Sequence, residues 1–311
     1  MRVFLAGATG AIGAPLLRLL VADGHEVTGM TRSPERAATL RGAGAEAVVA
    51  DALDAGAVTS AVVAARPQAI VHQLTAIPPR LDPRKIMRDF ALTDRLRTEG
   101  TRNLVAAAQQ AGASRVIAQS IAFAYDPGPP GAVHVEDDPL IADPPAHFKR
   151  SAAAIAELER TVRGAEGGVV LRYGYFYGPG TSISAGGSLG QEVARRRLPI
   201  VGGGRGVWSF IHVQDAARAT LAALTSGSSD VYNVVDDEPA LVREWIPELA
   251  SALGAKPPRR VPAWLARALA GEYAVMTMTR AQGASNARAR RELGWSPRHA
   301  SWREGFQSAL R

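Results

Sequence analysis

A glycine-rich segment near the N-terminus constrains the fold of this 311-residue chain more than any other feature. Glycines stand at positions 7, 10 and 13, after an apolar run over residues 3–5 and at the start of an apolar pattern with helical spacing. A strand, a glycine-rich turn and a helix in this order are typical of a dinucleotide-binding βαβ unit. The first glycine allows the tight turn, the second lets backbone amides approach a pyrophosphate, and the third lets the helix pack on the sheet. The alternative interpretation is an ordinary glycine-rich turn.

The rest of the chain repeats short apolar runs and longer helical patterns, which predicts an α/β fold with a doubly wound parallel sheet. Further strands are predicted over residues 27–30, 47–50, 69–74, 115–118 and 169–173, and a long helix over 87–111. After position 239 the pattern is helical, without a convincing strand. We therefore predict a dinucleotide-binding domain over residues 1–172, joined by about 209–237. A smaller, mostly helical substrate lobe is predicted over 173–208 and 238–311.

Composition excludes several classes of protein. The chain has no cysteine, which excludes disulfides, cysteine-ligated zinc, iron–sulfur clusters and a cysteine nucleophile. No stretch approaches the roughly 18 apolar residues of a membrane span, and the N-terminus lacks the apolar core of a signal peptide. The formal net charge of +7 comes mainly from scattered arginines without a nucleic-acid motif beside them. We expect a cytoplasmic protein with a small-molecule substrate, no bound metal, and neither nucleic acid nor membrane as a partner.

The end of the second predicted strand discriminates between the two nicotinamide cofactors. An NAD site places a carboxylate on the ribose hydroxyls about 20 residues past the glycines, whereas an NADP site accepts a phosphate there. Here the strand ends in Thr31, Arg32 and Ser33, without a carboxylate. A guanidinium and a hydroxyl can bind a 2′-phosphate through charge-assisted hydrogen bonds, so these residues, with Arg36, favour NADP(H). The alternative is that Arg32 is a surface residue beside a helix cap.

Several further motifs resemble those of the extended short-chain dehydrogenases/reductases, a family that includes nucleotide-sugar epimerases and dehydratases. They follow the family's order over nearly the full chain: Asp51-Ala52-Leu53-Asp54, Leu74-Thr75-Ala76, Leu171-Arg172-Tyr173-Gly174-Tyr175-Phe176-Tyr177-Gly178-Pro179, Phe210-Ile211-His212-Val213-Gln214-Asp215, Tyr232-Asn233-Val234 and Leu293-Gly294-Trp295. The resemblance implies that residues 51–54 touch the adenine, that 74–76 lie beside the cofactor ribose, and that 171–179 pass the nicotinamide. It is also compatible with a homodimer.

The predicted cofactor-binding set combines the glycine turn, the end of the second strand and these family segments. Its members are Gly7, Thr9, Gly10, Ala11, Ile12, Gly13, Thr31, Arg32, Ser33, Asp51, Ala52, Leu74, Thr75, Ala76, Ser120, Tyr173, Gly174 and Tyr175. Ser120 is included because Ala118-Gln119-Ser120 resembles the segment with the family's serine after the fifth strand.

The family's catalytic pair is missing from this chain. The family exchanges a proton with a carbonyl through a tyrosine four residues before a lysine, and no Tyr-x-x-x-Lys occurs here. Aligning Glu157 with the glutamate that usually follows the lysine puts Ala153 at the lysine position and Lys149 at the tyrosine position.

The predicted catalytic residues are Ser120, Lys149 and Tyr125, with His147 as a further candidate for the proton. Ser120 either binds a substrate oxygen or satisfies local backbone groups. Lys149 is a proton donor if its amine is desolvated and otherwise an exposed helix residue. Tyr125 could equally be a packing residue, and His212 is interpreted as a core histidine.

The substrate predicted by this pattern is fairly apolar. Nucleotide-sugar enzymes often carry an arginine at the position of Trp208, and aromatic residues surround the predicted nicotinamide segment, although such clusters are also common in cores. The predicted function is NADP-dependent hydride transfer to or from a small carbonyl, alcohol or activated alkene, with a non-standard proton donor. The proline-rich loop over 127–145 and the glycine-rich loop over 178–190 would close over the site. The alternatives are a nucleotide-sugar epimerase or dehydratase and a catalytically silent NADP-binding sensor.

Overall fold

The computed structural model describes residues 1–80 and 85–309. Its strands are β1 (Arg2–Ala6), β2 (Glu26–Thr31), β3 (Glu46–Val49), β4 (Ala69–His72), β5 (Arg115–Ile121), β6 (Val133–His134), β7 (Gly168–Tyr173), β8 (Tyr175–Tyr177), β9 (Ile200–Val201), β10 (Val207–Trp208), β11 (Phe210–His212), β12 (Val231–Val234), β13 (Ala240–Leu241), β14 (Arg260–Val261) and β15 (Gly283–Ala284). Its helices are α1 (Gly13–Ala22), α2 (Pro34–Gly42), α3 (Ala55–Ala65), α4 (Ile86–Asp89), α5 (Ala91–Arg95), α6 (Thr101–Ala111), α7 (Ala146–Arg163), α8 (Ser188–Ala194), α9 (Val213–Ala222), α10 (Val242–Ala252), α11 (Ala263–Thr279), α12 (Ala287–Leu293) and α13 (Trp302–Ala309), with a π-helical turn, Leu96–Gly100, between α5 and α6. Within the described ranges, no helix has the length and apolarity needed to cross a bilayer.

Seven parallel strands form the central sheet in the order β12-β7-β5-β4-β1-β2-β3. This confirms the predicted doubly wound α/β fold. The strand order changes direction between β1 and β4, where Ala6 at the end of β1 lies opposite His72. In such a sheet a ligand binds in the crevice outside the carboxyl ends of the strands at this point. The predicted glycine turn begins one residue beyond Ala6.

The sheet is covered by helices on both faces. Alternate residues of the strands point to opposite faces, so that Leu5 and Leu171 pack with α1 and α9, whereas Phe4 and Val170 pack with α3, α6 and α7. Complete burial of one such side chain stabilises the fold by roughly 1.5–3 kcal/mol. The continuous apolar strands of the sequence are therefore explained by burial on both faces.

A second hydrophobic cluster lies outside the sheet and defines the lobe. It includes Tyr177, Phe210, Trp245, Trp302 and Phe306, all fully buried. The lobe is built from two stretches of chain, because α9 and β12 return to the central sheet between them. The prediction of no strand after position 239 is wrong, since β13, β14 and β15 pair with β10, β9 and β6. Each has only two residues, too few to leave an alternating pattern.

The long helix predicted over residues 87–111 is divided in the structure. It begins at α4, continues as α5, passes through the π-helical turn and ends as α6, where Gly112 adopts a left-handed cap. The π-helical turn inserts one extra residue into the helix, and turns of this kind occur frequently at functional sites.

Candidate functional site

The glycine turn forms a close junction of three backbone segments. Gly7 has φ +91°, and a Cβ atom there would lie 2.7 Å from the carbonyl oxygen of Gln73, directly after β4. A Cβ atom on Gly13 would lie 2.0 Å from the carbonyl oxygen of Gly7. The amide of Gly10 donates to the same oxygen at 3.0 Å. Only glycine permits β1, β4 and the start of α1 to meet at this distance.

The N-terminus of α1 is free to bind an anion. Its N-cap residue, Ile12, makes no side-chain hydrogen bond to the first-turn amides, and the first turn has no acidic residue. Gly10 and Ala11 are exposed and Thr9 is half-buried. First-turn N–H groups and the helix dipole favour a phosphate at this position. The residues present therefore fit the pyrophosphate of a dinucleotide.

The end of β2 leaves one side chain available for a 2′-phosphate. The hydroxyl of Thr31 is buried and accepts from the Ser33 amide at 3.2 Å. The Ser33 hydroxyl caps α2 by accepting from the Arg36 amide at 3.2 Å, and it donates to Glu35 at 2.5 Å. Arg32 is exposed and makes no ion pair with any other described residue. Of the predicted phosphate-binding groups, the exposed guanidiniums of Arg32 and Arg36 are thus the ones without a partner in the described chain, and Arg32 stands directly at the strand end.

The loops after β3 and β4 are ordered at the same sheet edge. Asp51 accepts a hydrogen bond from the Leu53 amide at 3.0 Å, and the Ala52 carbonyl accepts from Asn103 at 2.9 Å. The amide of Ala76 donates to the Thr93 hydroxyl at 3.0 Å. The remaining members of this predicted segment, Leu74 and Thr75, are half-buried and exposed respectively. The structure thus brings the predicted adenine and ribose segments to the edge that carries the glycine turn.

The end of β7 divides into core and site residues. Tyr173 is fully buried; its hydroxyl forms a hydrogen bond with Thr220 at 2.6 Å and accepts from Gln73 at 3.2 Å. Burial raises the pKa of Tyr173 to about 12. Gly174 packs against strand β11, since a Cβ there would lie 2.5 Å from the Ser209 carbonyl oxygen. Tyr175, which follows, is half-buried and belongs to the aromatic wall described below.

Two of the predicted catalytic residues belong to a buried network. The hydroxyl of Ser120 donates to Glu159 at 2.6 Å, and Glu159 also accepts from Arg172 at 2.6 and 2.9 Å. Arg172 donates to the Tyr125 hydroxyl at 2.8 Å, and that hydroxyl donates to Asn233 at 2.7 Å. Burial raises the pKa of Tyr125 to about 12. Both hydroxyls are therefore engaged in holding a buried ion pair between the sheet and α7.

The third predicted catalytic residue, Lys149, lies on the exposed face of α7 together with Ala153. The glutamate used to align these two positions, Glu157, is half-exposed and pairs with Arg102 at 3.1 Å. The glutamate of α7 that faces the sheet is Glu159. His147 is also exposed. Counting four and eight residues back from Glu159 gives Ile155 and Ser151, both buried, and neither register supplies a tyrosine or a lysine facing the sheet.

Aromatic rings form a wall between the sheet and the lobe. Phe123, which follows β5, stacks on Tyr175 with a centroid distance of 4.0 Å, and Tyr175 stacks on Trp208 at 3.8 Å. The indole N–H of Trp208 donates to the Thr277 carbonyl at 3.0 Å. The position where nucleotide-sugar enzymes often carry an arginine is thus occupied by a stacked, hydrogen-bonded indole.

A second aromatic pair joins α7 to the lobe. Phe148 stacks on Tyr273 of α11 with a centroid distance of 4.3 Å. Neither residue, nor Phe123, is part of a motif in the sequence, so sequence reasoning missed all three. Their role depends on the packing of α7 against α11, two elements that are more than 100 positions apart in the chain.

The proline-rich loop and the glycine-rich loop differ in their contacts. Residues of the proline-rich loop, among them Pro127 and Pro145, line a groove of about 1160 Å³ together with Arg205, Leu241 and Met276 of the lobe. The glycine-rich loop is held by hydrogen bonds instead: the Thr181 hydroxyl donates to Gly178 at 2.8 Å, and α8 begins at Ser188.

One group of metal-ligand types occurs among the described residues, formed by His212, Asp215 and His299. Asp215 is fully buried and accepts from Arg218, from the Arg298 amide at 3.1 Å and from the His299 amide at 2.9 Å. Its carboxylate also meets the His299 ring at 2.9 Å. These contacts use the carboxylate lone pairs, and they tie α9 to the segment before α13.

The fold and the glycine turn define a dinucleotide-binding protein of the short-chain dehydrogenase/reductase type. More particularly, the chain belongs to the NAD dependent epimerase/dehydratase family, whose model matches residues 3–235. The resemblance inferred from the motifs is thereby confirmed.

Two relatives by sequence and one solved structure are similar to this chain. A 3-diazoavenalumate denitrifying reductase of a Streptomyces species is 49% identical, over 98% of this chain and 99% of that protein. A 4-hydroxy-2-methyl-3-oxo-4-farnesyl-3,4-dihydroquinoline-1-oxide ketoreductase of Stigmatella aurantiaca is 26% identical, over 96% and 92%. The crystal structure of a Thermotoga maritima UDP-glucose 4-epimerase with UDP-glucose has a TM-score of 0.78 at 20% identity, covering 99% of this chain and 97% of that one. The family and the reductase relative support an oxidoreductase that uses a nicotinamide cofactor.

Proposed function

We propose that this protein is an NADPH-dependent reductase that replaces the diazo group of an aromatic carboxylate by hydrogen. The name of the 49% identical relative denotes removal of nitrogen from a diazo-substituted carboxylate, and the match covers both chains almost completely. The observation that carries the proposal is the absence of a Tyr-x-x-x-Lys pair from a chain that has the close-packed glycine turn of a dinucleotide-binding fold.

The chemistry of the proposed reaction explains that absence. A bound nicotinamide supplies a hydride. When a hydride replaces dinitrogen at a diazonium carbon, R–N₂⁺ and H⁻ give R–H and N₂, and the atoms and charges balance without a proton. A carbonyl, in contrast, becomes an alkoxide that must be protonated. A site for the first reaction therefore needs no acid next to the substrate.

In this reaction the aromatic wall would bind the aryl group of the substrate and exclude water. Tyr175 is stacked between Phe123 and Trp208, so a planar aryl group can lie on the outer face of Phe123, at the end of this stack. A site closed by such rings excludes water, which would otherwise attack the reactive diazonium group. The chain's own residues would thus orient the arene and keep it dry.

Preference for NADPH is part of the proposal. Arg32 is exposed at the end of β2 and has no partner within the described ranges, and no carboxylate occupies the strand end to bind the ribose hydroxyls. An arginine fork is suited to a 2′-phosphate.

The experiment that tests the proposal uses the diazonium derivative of 3-aminocinnamate and NADPH deuterated at the transferred position. We expect release of N₂ and cinnamate with deuterium at carbon 3 of the ring. Reactions without enzyme measure direct chemical reduction. Product formation at the rate of that blank, or cinnamate without deuterium, would overturn the proposal.

Carbonyl reduction is the second candidate, and the similarity to the Stigmatella ketoreductase favours it. This reaction requires a proton, for which Lys149 at the first turn of α7 is the proposed donor, with Ser120 and Tyr125 as the other predicted catalytic residues. The exposed amine of Lys149 would act in this way only where bound substrate covers it. A panel of aryl ketones with NADPH tests it. Turnover that falls in a Lys149→Met variant would support this candidate, and no turnover of any ketone by the wild type would eliminate it.

A further inference from the structure

A buried arginine of the π-helical turn lacks hydrogen-bond partners among the described residues. Arg97 lies in the π-helical turn Leu96–Gly100 and is 7% exposed. Its guanidinium donates no hydrogen bond to any residue in the ranges 1–80 and 85–309. The ion pair with Asp94 is loose, at 4.0 Å, and the other carboxylate oxygen of Asp94 accepts from Arg150 at 2.8 Å. A buried cation with so little compensation is costly to the fold, and such groups are typical of binding sites.

The position of Arg97 links the cofactor edge to the lobe. Its charge acts on His72, the last residue of β4, whose pKa is lowered to about 4 by burial and further by Arg97. The next residue, Gln73, contacts Gly7 in the glycine turn. The His72 ring also forms a hydrogen bond at 3.1 Å with Thr101, directly after the π-helical turn. The turn that carries Arg97 therefore lies at the carboxyl edge of the sheet, at the switch point where ligands bind in this fold.

Two tyrosines accompany the guanidinium. Burial lowers the pKa of Arg97, while Asp94 and Tyr273 act in the opposite direction. Tyr273 in turn interacts electrostatically with Tyr175, and burial raises the pKa of both phenols. Both tyrosines are half-buried, and neither hydroxyl forms a hydrogen bond with another described residue. Both phenols therefore stay protonated at neutral pH and available as donors.

All three side chains of this cluster can donate hydrogen bonds. A guanidinium and two phenol hydroxyls offer hydrogen-bond donors, and a guanidinium matches the two oxygens of a carboxylate. The ring of Tyr175 also belongs to the stack with Phe123 and Trp208. An aromatic acid could therefore lie with its ring on the outer face of Phe123 and its carboxylate towards the donors.

We propose that Arg97, with Tyr175 and Tyr273, binds the carboxylate of the substrate. The proposal rests on the proposed function, because it names the acid group of that reaction's substrate. It adds a specificity: an aromatic carboxylate should bind much more tightly than the corresponding amide.

The test measures binding, so that it does not depend on turnover. Cinnamate and cinnamamide are titrated into the protein saturated with NADP⁺, with isothermal calorimetry as the readout. We expect the wild type to prefer cinnamate, and Arg97→Gln to weaken cinnamate by about 10- to 100-fold, as for lost hydrogen bonds to a charged group. Binding of cinnamamide should stay unchanged. Arg97→Lys keeps the positive charge but lacks the bidentate guanidinium, so its affinity for cinnamate should lie between those of the wild type and Arg97→Gln.

Arg102→Gln is the matched control, because Arg102 is an exposed arginine on the adjoining helix α6. It should leave both ligands unaffected. If Arg97→Gln does not fold, Tyr273→Phe provides the second variant and should weaken cinnamate alone, by a few-fold. Equal affinity of the wild type for acid and amide, or equal losses for both ligands in the variant, would overturn the proposal. Failure of the deuterium experiment alone would leave this binding result standing.

Discussion

At the scale of single residues, the Ser120–Glu159–Arg172 network shows how a hydroxyl at a predicted catalytic position can be held in a buried structural contact. Ser120 is buried and its hydroxyl points to a carboxylate that already binds a guanidinium in two places. A hydroxyl used in this way stabilises the junction between β5, β7 and α7. The same residue type at a free strand end would be available to a substrate.

Replacing Glu159 by Gln should destabilise the protein strongly. The substitution leaves the Arg172 charge buried without a counter-ion, and removing one partner of a buried pair costs about 3–5 kcal/mol. Urea unfolding of the wild type and the variant measures the loss. Glu157→Gln is the control, since its half-exposed pair with Arg102 is worth no more than about 1 kcal/mol. Equal losses in the two variants would contradict the assignment of Glu159 to a buried pair.

Replacing Arg32 by Ala should change cofactor preference. A guanidinium that binds the 2′-phosphate contributes charge-assisted hydrogen bonds, so the affinity for NADPH should fall by about 10- to 100-fold. The affinity for NADH should hardly change. Fluorescence titration with both cofactors measures the two constants, and Arg41→Ala, an exposed arginine at the end of α2, is the control. Equal losses for NADPH and NADH would remove the phosphate assignment.

At the scale of elements, the junction of β1, β4 and α1 depends on backbone contacts that a side chain would break. The carbonyl oxygen of Gly7 accepts from the Gly10 amide and lies against Gly13. This arrangement sets the direction in which α1 leaves the sheet. It therefore also sets the direction in which the free N–H groups of the first turn point. The cradle is a property of the three elements together.

Replacing Gly13 by Ala should impair cofactor binding. The added Cβ would lie 2.0 Å from a backbone oxygen, and relief of such overpacking costs roughly 1–3 kcal/mol. When this cost must be met in the cofactor-bound form, it lowers the affinity for NADPH by about tenfold or more. Gly42→Ala in α2 is the control, because no atom lies within 4 Å of its added Cβ. Titration with NADPH compares them, and unchanged affinity in the Gly13 variant would argue against the cradle.

The elements also show why sequence reasoning succeeded in one place and failed in another. The strand, turn and helix of the glycine motif were predicted because local spacing determines all three. The π-helical turn within 87–111 was missed. The sequence does not indicate which of the arginines Arg95, Arg97 and Arg102 is buried. Only packing of the π-helical turn against α7 distinguishes Arg97, which is buried, from its exposed neighbours.

At the scale of the whole molecule, buried titratable groups make stability depend on pH. Burial lowers the pKa of His72 to about 4, and burial with the neighbouring His299 lowers that of His212 to about 4. Between pH 6.5 and 4 the unfolded chain binds protons that the folded chain does not. Stability is therefore complete above pH 6.5 and is lost as the pH falls towards 4. Asp236, whose buried carboxyl has a raised pKa, acts in the opposite sense in this range.

The contribution of His72 is isolated by comparing how the unfolding free energy of the wild type and of a variant changes with pH. The difference between its unfolded and folded pKa corresponds to about 3 kcal/mol of unfolding free energy lost between pH 6.5 and 4. Urea unfolding of the wild type and of His72→Gln over this range should give a flatter curve for the variant. His147→Gln, at an exposed histidine, should keep the wild-type slope. Parallel curves for the wild type and His72→Gln would contradict the prediction.

The candidate site was predicted in part from the sequence. The cofactor half follows from contiguous motifs, and its members meet at one sheet edge. The substrate half combines Phe123, Phe148 and Tyr273 from three distant elements, and no local pattern connects them. Lys149 was chosen by alignment through Glu157, but the burial of Glu159 gives a different register for α7. Burial of a charged residue is a tertiary property that spacing alone does not determine.

The divided construction of the lobe has a consequence for how such proteins can be recombined. Tyr177 and Phe306 pack edge to face at 5.4 Å, yet α9 and β12 of the central sheet lie between them in the chain. A single crossover between positions 177 and 306 of two homologous genes would therefore pair one parent's Tyr177 region with the other parent's Phe306 region. Exchange of substrate specificity by gene shuffling requires two segments to move together, with the edge strand β12 retained between them.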